Sequence, residues 1–250
     1  MITIHNIKKS FNEIEILKGV SFVFNRGKTN LIIGQSGSGK TVLIKCMLGL
    51  FDADEGNILY DERDFTKMNS SQKKHIRKEV GMLFQGGALF DSMTVEENIM
   101  FPLTMFTNQT LEEKIDRVNT CLKRVNLENS NTKTPTELSG GMQKRVALAR
   151  AIAMNPKYLF CDEPNSGLDP RTSIIIDNSI KEVTEEYNIT TIINTHDMNS
   201  VMEIGDHILF IKNGLKEWEG TNKDILSTDN PAILDFVYSS NLFKKIRASQ

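Results

Sequence analysis

The 250-residue sequence predicts an α/β fold in which a parallel-sheet core is interrupted by an inserted helical subdomain. Three observations carry that prediction. A glycine-rich loop joins a short apolar run to an apolar helix near residue 40. A second apolar run ends in paired acids near residue 162. The stretch between them keeps helical rather than strand periodicity. The predicted boundaries place the core at about residues 1–84 and 156–220. The helical subdomain spans about 85–155, and a C-terminal extension about 221–250, all within a single domain.

The chain opens with a strand-like alternation, Ile2-Thr3-Ile4-His5-Asn6-Ile7, and the residues to about 84 read as short strands around the glycine loop. Thr29 to Ile33 is a short buried strand. It leads into Gly34-Gln35-Ser36-Gly37-Ser38-Gly39-Lys40-Thr41, a full match to the pattern G-x-x-x-x-G-K-S/T. An apolar helix from Thr41 to Leu50 follows, closed by Gly49. In that frame the glycines let the backbone wrap a phosphate, Lys40 neutralises β/γ oxygens, and the Thr41 hydroxyl reaches Mg²⁺.

Leu111, Ile115, Val118, Leu122 and Val125 recur at spacings of four and three, one face of an amphipathic helix. A polar loop at residues 129–133 precedes Leu138-Ser139-Gly140-Gly141-Met142-Gln143-Lys144-Arg145. From Met142 to Met154 nothing breaks a helix until Pro156, so the two glycines and the Ser139 hydroxyl sit at a helix N-terminus that attracts an anion. A plain helix cap would use the same residues. The other motifs of the chain favour the phosphate reading. Tyr158-Leu159-Phe160-Cys161-Asp162-Glu163-Pro164 is a buried strand with acids at its C-terminal end, where open α/β sheets place ligands. Side chains alternate along a strand, so Asp162 is assigned to Mg²⁺ and Glu163 to polarising the attacking water.

With these elements in this order, the sequence resembles the ATP-binding-cassette (ABC) ATPases, from Ile2 to about Gly220. The resemblance implies a P-loop NTPase core of the ABC ATPase type, with ATP and Mg²⁺ bound. It implies that Phe11 stacks on adenine and that Gln85 senses Mg²⁺ and the attacking water. It places Ser166-Gly167-Leu168-Asp169 as the loop crossing a dimer interface, and His196 on the γ-phosphate. Gln85, Glu163 and His196 are then catalytic, and Thr41, Gln85 and Asp162 hold the metal. Phe11, the loop Gly34 to Thr41, Ser139, Gly140, Gly141 and Asp169 bind the nucleotide, the signature residues acting on the partner's ATP in a head-to-tail homodimer.

Composition narrows the setting. A net charge of -2 gives no reason to expect nucleic acid as a partner. Cys46, Cys121 and Cys161 show no metal spacing and read as packing residues. No apolar stretch approaches the roughly 20 residues needed to span a bilayer, so any membrane role is expected to come through a partner. An odd number of cysteines and no signal peptide point to the cytoplasm. His5 and His75 lie in polar segments and His207 at the start of a strand, all read as structural.

The segment after Gln85 is more discriminating than the catalytic motifs. It is uncharged from Gly81 to Phe90, then reaches a Thr94 N-cap with Glu96 and Glu97 in the first turn. In the family this region receives a coupling helix from a membrane permease. Interior packing is the plainer reading, but the surplus of apolar residues favours a docking surface. The wording GALFDSMTVEENIMFPL, residues 87–103, resembles the ATPases of Mla-type systems. That implies a permease and an MCE-domain protein moving phospholipid or other lipid, with this subunit peripheral on the cytoplasmic face of the inner membrane. The alternatives are a non-transport ABC ATPase of the cell-division type and an iron–sulfur assembly ATPase.

Overall fold

The computed structural model describes residues 1–225 and 227–238. In chain order its first elements are β1 (Ile2–Phe11), β2 (Ile14–Phe24), β3 (Lys28–Ile33), α1 (Lys40–Met47), β4 (Glu55–Tyr60), β5 (Arg63–Asp64), α2 (Ser70–Lys78) and β6 (Val80–Leu83). Then come α3 (Val95–Phe106), α4 (Leu111–Arg124), α5 (Gly140–Ile152), β7 (Tyr158–Asp162), α6 (Pro170–Glu186), β8 (Thr190–Asn194), α7 (Met198–Ile204), β9 (His207–Lys212), β10 (Leu215–Gly220) and α8 (Pro231–Val237). The mixed α/β architecture is the one the sequence predicts. The chain divides into two compact units, one holding residues 1–25, 30–68 and 194 onward, the other residues 26–29 and 69–193.

In the first unit, β1 and β2 are ten and eleven residues long rather than short strands. They form an antiparallel hairpin in which Phe11 faces Ile14 across a two-residue turn. Asn12 and Glu13 both take positive φ, 47° and 66°, the geometry that matches the twist of a hairpin. β4 and β5 extend this sheet in the order β2-β1-β4-β5. Its inner face buries Ile2, Ile4, Ile7, Leu17, Val20 and Phe24 completely, each contributing on the order of 1.5–3 kcal/mol. β3 runs parallel to β9, with Asn30 opposite His207 and Ile33 opposite Phe210. Antiparallel β10 follows through Asn213 and Gly214 at φ 52° and 80°. His207 stacks on Phe22 at 4.4 Å and its Nδ1 lies 3.0 Å from the Asn25 amide, a packed structural histidine. The C-terminal extension begins with α8, which buries Ile233 and Val237 and sets Phe236 5.2 Å from Phe210. The last part of the predicted extension, residues 239–250, lies outside the described residues.

In the second unit, β6 and β7 pair in parallel, Val80 opposite Tyr158 through Leu83 opposite Cys161. Helices α2, α3 and α4 each open on a reciprocal capping box: Asn69 with Gln72, Thr94 with Glu97, Thr110 with Glu113. α4 buries Val118, Cys121 and Leu122, followed by Val125. Leu111, the first member of the predicted stripe, is 66% exposed and does not share the buried face. Arg117 of α4 donates to the Ile152 and Ala153 carbonyls at 2.7 and 2.8 Å, closing the C-terminal end of α5. All three cysteines are free and buried. Among the described residues, no helix is long and apolar enough to cross a membrane.

Candidate nucleotide site

The phosphate loop occupies the first unit between β3 and α1. Gly34 holds φ 149°, and a Cβ there would stand 2.2 Å from the Ile211 carbonyl, so only glycine lets the loop leave the sheet at this point. The loop is braced from outside: the Gly214 N–H donates to the Ser38 carbonyl at 3.2 Å. Lys40 is 7% exposed and folds its ammonium onto the carbonyls of Gly34 and Gln35 at 2.8 and 3.1 Å. Gly39, at φ 107°, is the N-cap of α1 and supplies no side-chain acceptor. Helices α2 to α8 all carry a side-chain cap, so α1 alone leaves its first N–H groups for a ligand among the described α-helices. The Ser38 hydroxyl is buried with no protein partner, a further polar atom that the fold itself leaves unsatisfied. Gln35, Ser36, Gly37 and Thr41 are exposed. In the same unit Phe11 is 38% exposed, its ring edge-on to Phe51 at 5.1 Å with the Lys9 ammonium 5.3 Å away, so part of its surface stays open for stacking. His196 is exposed after the buried Thr195, whose N–H donates to the Ile32 carbonyl at 3.2 Å.

The acidic half lies in the second unit. β7 ends at Asp162, and Glu163 turns out of the strand at φ 48°. Strand alternation therefore stops at Asp162 and does not extend to Glu163. The following turn is tied to α6: the Asn165 amide donates to the buried Asp177 carboxylate at 2.8 Å. Asp169 caps α6, accepting from the Arg171 and Thr172 N–H groups at 3.0 and 3.1 Å. The Thr172 hydroxyl and these amides hold its carboxyl below the usual range. The Gln85 amide donates to the Ser166 hydroxyl at 3.2 Å, which brings the glutamine to the turn after the acids. Ser139 is exposed and caps α5, accepting from the Met142 N–H at 3.3 Å, so its hydroxyl proton remains available to an anion. Gly140 is exposed. Gly141 is buried, and a Cβ there would strike the Thr172 methyl at 2.3 Å, so the second glycine serves the approach of α5 to α6.

Three functional neighbours escaped the sequence reading. Lys144 of α5 is buried and donates to the Gln85 carbonyl; burial lowers its pKa, opposed by Cys161, Asp162 and Glu163 nearby. Arg150, two turns on, donates to the Gly87 and Ala88 carbonyls at 2.7 and 2.8 Å. Asn98 of α3 is fully buried and holds the turn before it, accepting from the Phe90 N–H at 2.8 Å and donating to the carbonyls of Phe90, Met93 and Thr94. Beside this loop lies a groove of about 650 Å³ lined by Val80, Phe84, Ala88, Phe90, Phe101, Phe106 and Met154, with basic residues at its edge. Phe84, Phe90, Phe101 and Phe106 are 37–45% exposed.

The family model for ABC transporters matches residues 17–166. The chain belongs to this family. It is an ABC ATPase that uses ATP with Mg²⁺. The methionine import ATP-binding protein MetN of Clostridioides difficile is 37% identical over 214 residues, covering 86% of this chain and 66% of that protein. MetN of Campylobacter jejuni is 34% identical, covering 96% and 76%. The sulfate/thiosulfate import protein CysA 2 of Shewanella oneidensis is 34% identical, covering 97% and 68%. This ABC ATPase thus spans about two thirds to three quarters of these relatives. Among solved structures, an ATP-binding cassette captured as a dimer with ADP and Pi has a TM-score of 0.79 at 32% identity, covering 89% of this chain and 99% of that one. CbiO1 of Clostridium perfringens, part of an ABC transporter complex, has a TM-score of 0.86 at 27% identity, covering 100% and 98%.

The donors assigned to Mg²⁺ suit that ion. The Thr41 hydroxyl, the Gln85 amide oxygen and the Asp162 carboxylate are hard oxygen ligands, and a single carboxylate completed by substrate phosphates is the usual Mg²⁺ arrangement.

Proposed function

We propose that this ABC ATPase energises a membrane permease docked in the groove after Gln85, and that the cargo is phospholipid or another lipid of a bacterial envelope, handled with an MCE-domain protein. The groove is the observation that carries the reading. Its lining includes Phe84 and Ala88, which flank Gln85, and Arg150 holds the Ala88 carbonyl, so a docked helix and the glutamine assigned to catalysis would share one short loop. Lys40 and the α1 N-terminus bind phosphate oxygens, and Phe11 stacks on the base. Glu163 takes the proton of the attacking water, while His196 contacts the γ-phosphate. Thr41, Gln85 and Asp162 would hold Mg²⁺, which when bound would supply charge neutralisation at the phosphate oxygens. Ser139, Gly140 and Asp169 serve the nucleotide of a second copy in a head-to-tail dimer; the solved cassette bound to ADP and Pi is itself described as dimeric, which supports a paired state. The subunit works at the cytoplasmic face of the inner membrane, reaching it only through the permease.

The lipid assignment rests on residues 87–103, whose wording is similar to Mla-type ATPases. Import of a small solute is the second reading, favoured by the relatives named for methionine and sulfate/thiosulfate. Affinity purification from detergent-solubilised membranes, followed by reconstitution, separates them. An MCE-domain protein in the eluate and ATP-dependent phospholipid transfer between vesicles is the expected result. ATP-dependent uptake of methionine or sulfate without lipid transfer overturns the lipid reading. Recovery of only a wall-hydrolase regulator overturns transport itself.

A further inference from the structure

The peptide that joins Gln85 to Gly86 is held by a side chain from another element. The Gly87 N–H donates to the Phe84 carbonyl at 2.8 Å, so residues 84–87 form a β-turn with Gln85 and Gly86 at its two central positions. The central peptide of such a turn has two orientations. In type I the second central residue keeps a negative φ, and in type II the peptide is turned over and that φ is about +80°. Gly86 is not among the glycines with positive φ, so the turned-over form is not the one adopted. A glycine at this position nevertheless keeps it accessible. Packing does not demand the glycine, because a Cβ on Gly86 would meet nothing within 4 Å.

Lys144 selects between the two. Its buried ammonium, carried by α5, donates to the Gln85 carbonyl, the oxygen that swings away when the central peptide turns over. Satisfying that carbonyl does not by itself call for a buried cation. Gln85 and Gly86 are exposed to water, and burying an ammonium is costly. At its other end Gln85 is tied to the turn after the acids, its amide donating to the Ser166 hydroxyl at 3.2 Å. A turn that alternates between two forms places Gln85 less firmly, and a misplacement of about 1 Å is enough to cost roughly 10²-fold in rate. We propose that Lys144 is a positioning residue for ATP hydrolysis, locking the Gln85–Gly86 peptide in one orientation and so fixing Gln85 beside the turn that follows Asp162 and Glu163. This rests on the assignment of Gln85 to catalysis above and adds the group that sets it.

Steady-state ATPase kinetics and amide hydrogen exchange on the full chain test this. Lys144→Met keeps an unbranched side chain and removes the donor; Lys144→Gln replaces it in every comparison if the methionine variant does not fold. The variant is expected to lower kcat by about 10–100-fold while KM for ATP changes less than about threefold. Without nucleotide, its exchange across residues 84–88 should be faster than in wild type. Lys144→Arg, which keeps a charged donor, should stay nearer wild type in both readouts. Gly86→Ala resists the positive φ of the turned-over peptide. Lys144→Met/Gly86→Ala should therefore regain at least about fivefold in kcat over Lys144→Met alone, with exchange slowed again. In a Gln85→Ala background Lys144→Met should cost nothing further, because Lys144 acts through that residue. Losses that add in this double variant, or a Gly86→Ala change that neither slows exchange nor recovers turnover, overturn the proposal and leave Lys144 a packing residue. Full turnover by Gln85→Ala alone overturns the catalytic assignment of Gln85, and the positioning role falls with it.

Discussion

At the scale of single residues, Glu163 is the position where backbone and chemistry meet. Its φ of 48° is a left-handed conformation that costs a non-glycine residue about 1–3 kcal/mol, a cost tolerated where the surroundings fix the turn. The Ser166 N–H donates to the Glu163 carbonyl at 3.1 Å, and Asn165 is locked on Asp177, so the bend is held from both sides. The division of roles proposed for the neighbouring acids is testable. Glu163→Gln keeps the size of the side chain and removes the base, so hydrolysis is expected to fall by roughly 10²–10⁴-fold with ATP binding retained. Asp162→Asn is expected instead to weaken Mg²⁺-dependent nucleotide binding. Equilibrium binding with and without Mg²⁺, set beside steady-state turnover, checks both; equal loss of binding in the two variants refutes the division of roles.

At the scale of elements, the loop from Gln85 to Thr94 has little regular structure and is held by side chains reaching into its backbone. Lys144 and Arg150 of α5 hold its first half, and Asn98 of α3 holds its second. Asn98→Ala removes a buried amide and leaves the Phe90 N–H and three carbonyls short of partners, so a loss of about 1–3 kcal/mol is expected. Denaturant unfolding measures it, and Asn98→Asp, which keeps the acceptor for the Phe90 N–H but turns a buried carboxylate toward three carbonyls, should lose at least as much. Stability unchanged by Asn98→Ala would show that water replaces the amide. The same contacts explain what the sequence reading could reach. The glycine loop, the signature helix and the acid-ended strand are contiguous motifs, legible because each is confined to a few consecutive residues. Lys144 and Arg150 act on carbonyls, which every residue carries, so no letter in the sequence marks their targets. The hairpin of β1 and β2 was under-read because its turn, Asn12-Glu13, lacks the glycine that usually signals it. The basic wall of the groove belongs to α2, before Gln85 in the chain, and joins the later segment only in the folded unit.

At the scale of the whole molecule, the residues proposed to bind phosphate are divided between the two units, and the exposed Ser139 and Gly140, at the N-terminus of α5, are proposed to act on an anion held by another copy. A head-to-tail dimer gives them one. In that arrangement Lys40 of one copy and Ser139 of the other act on the same ATP, closing water out and pointing donors at the charge that develops on the γ-phosphate. Lys40→Ala and Ser139→Ala subunits should each be inactive alone, because every site in either homodimer lacks one component. When the two are mixed, half of each heterodimer's parts combine into one site missing both and one site missing neither. The expected outcome is recovered ATPase activity in the mixture, rising with subunit exchange and reaching a plateau below wild type. Measurement of turnover against mixing ratio, with gel filtration in ATP to follow the dimer, decides it. A mixture no more active than its components, despite heterodimers forming, rules out independent composite sites, and full turnover by a species that remains monomeric removes the need for a second copy altogether.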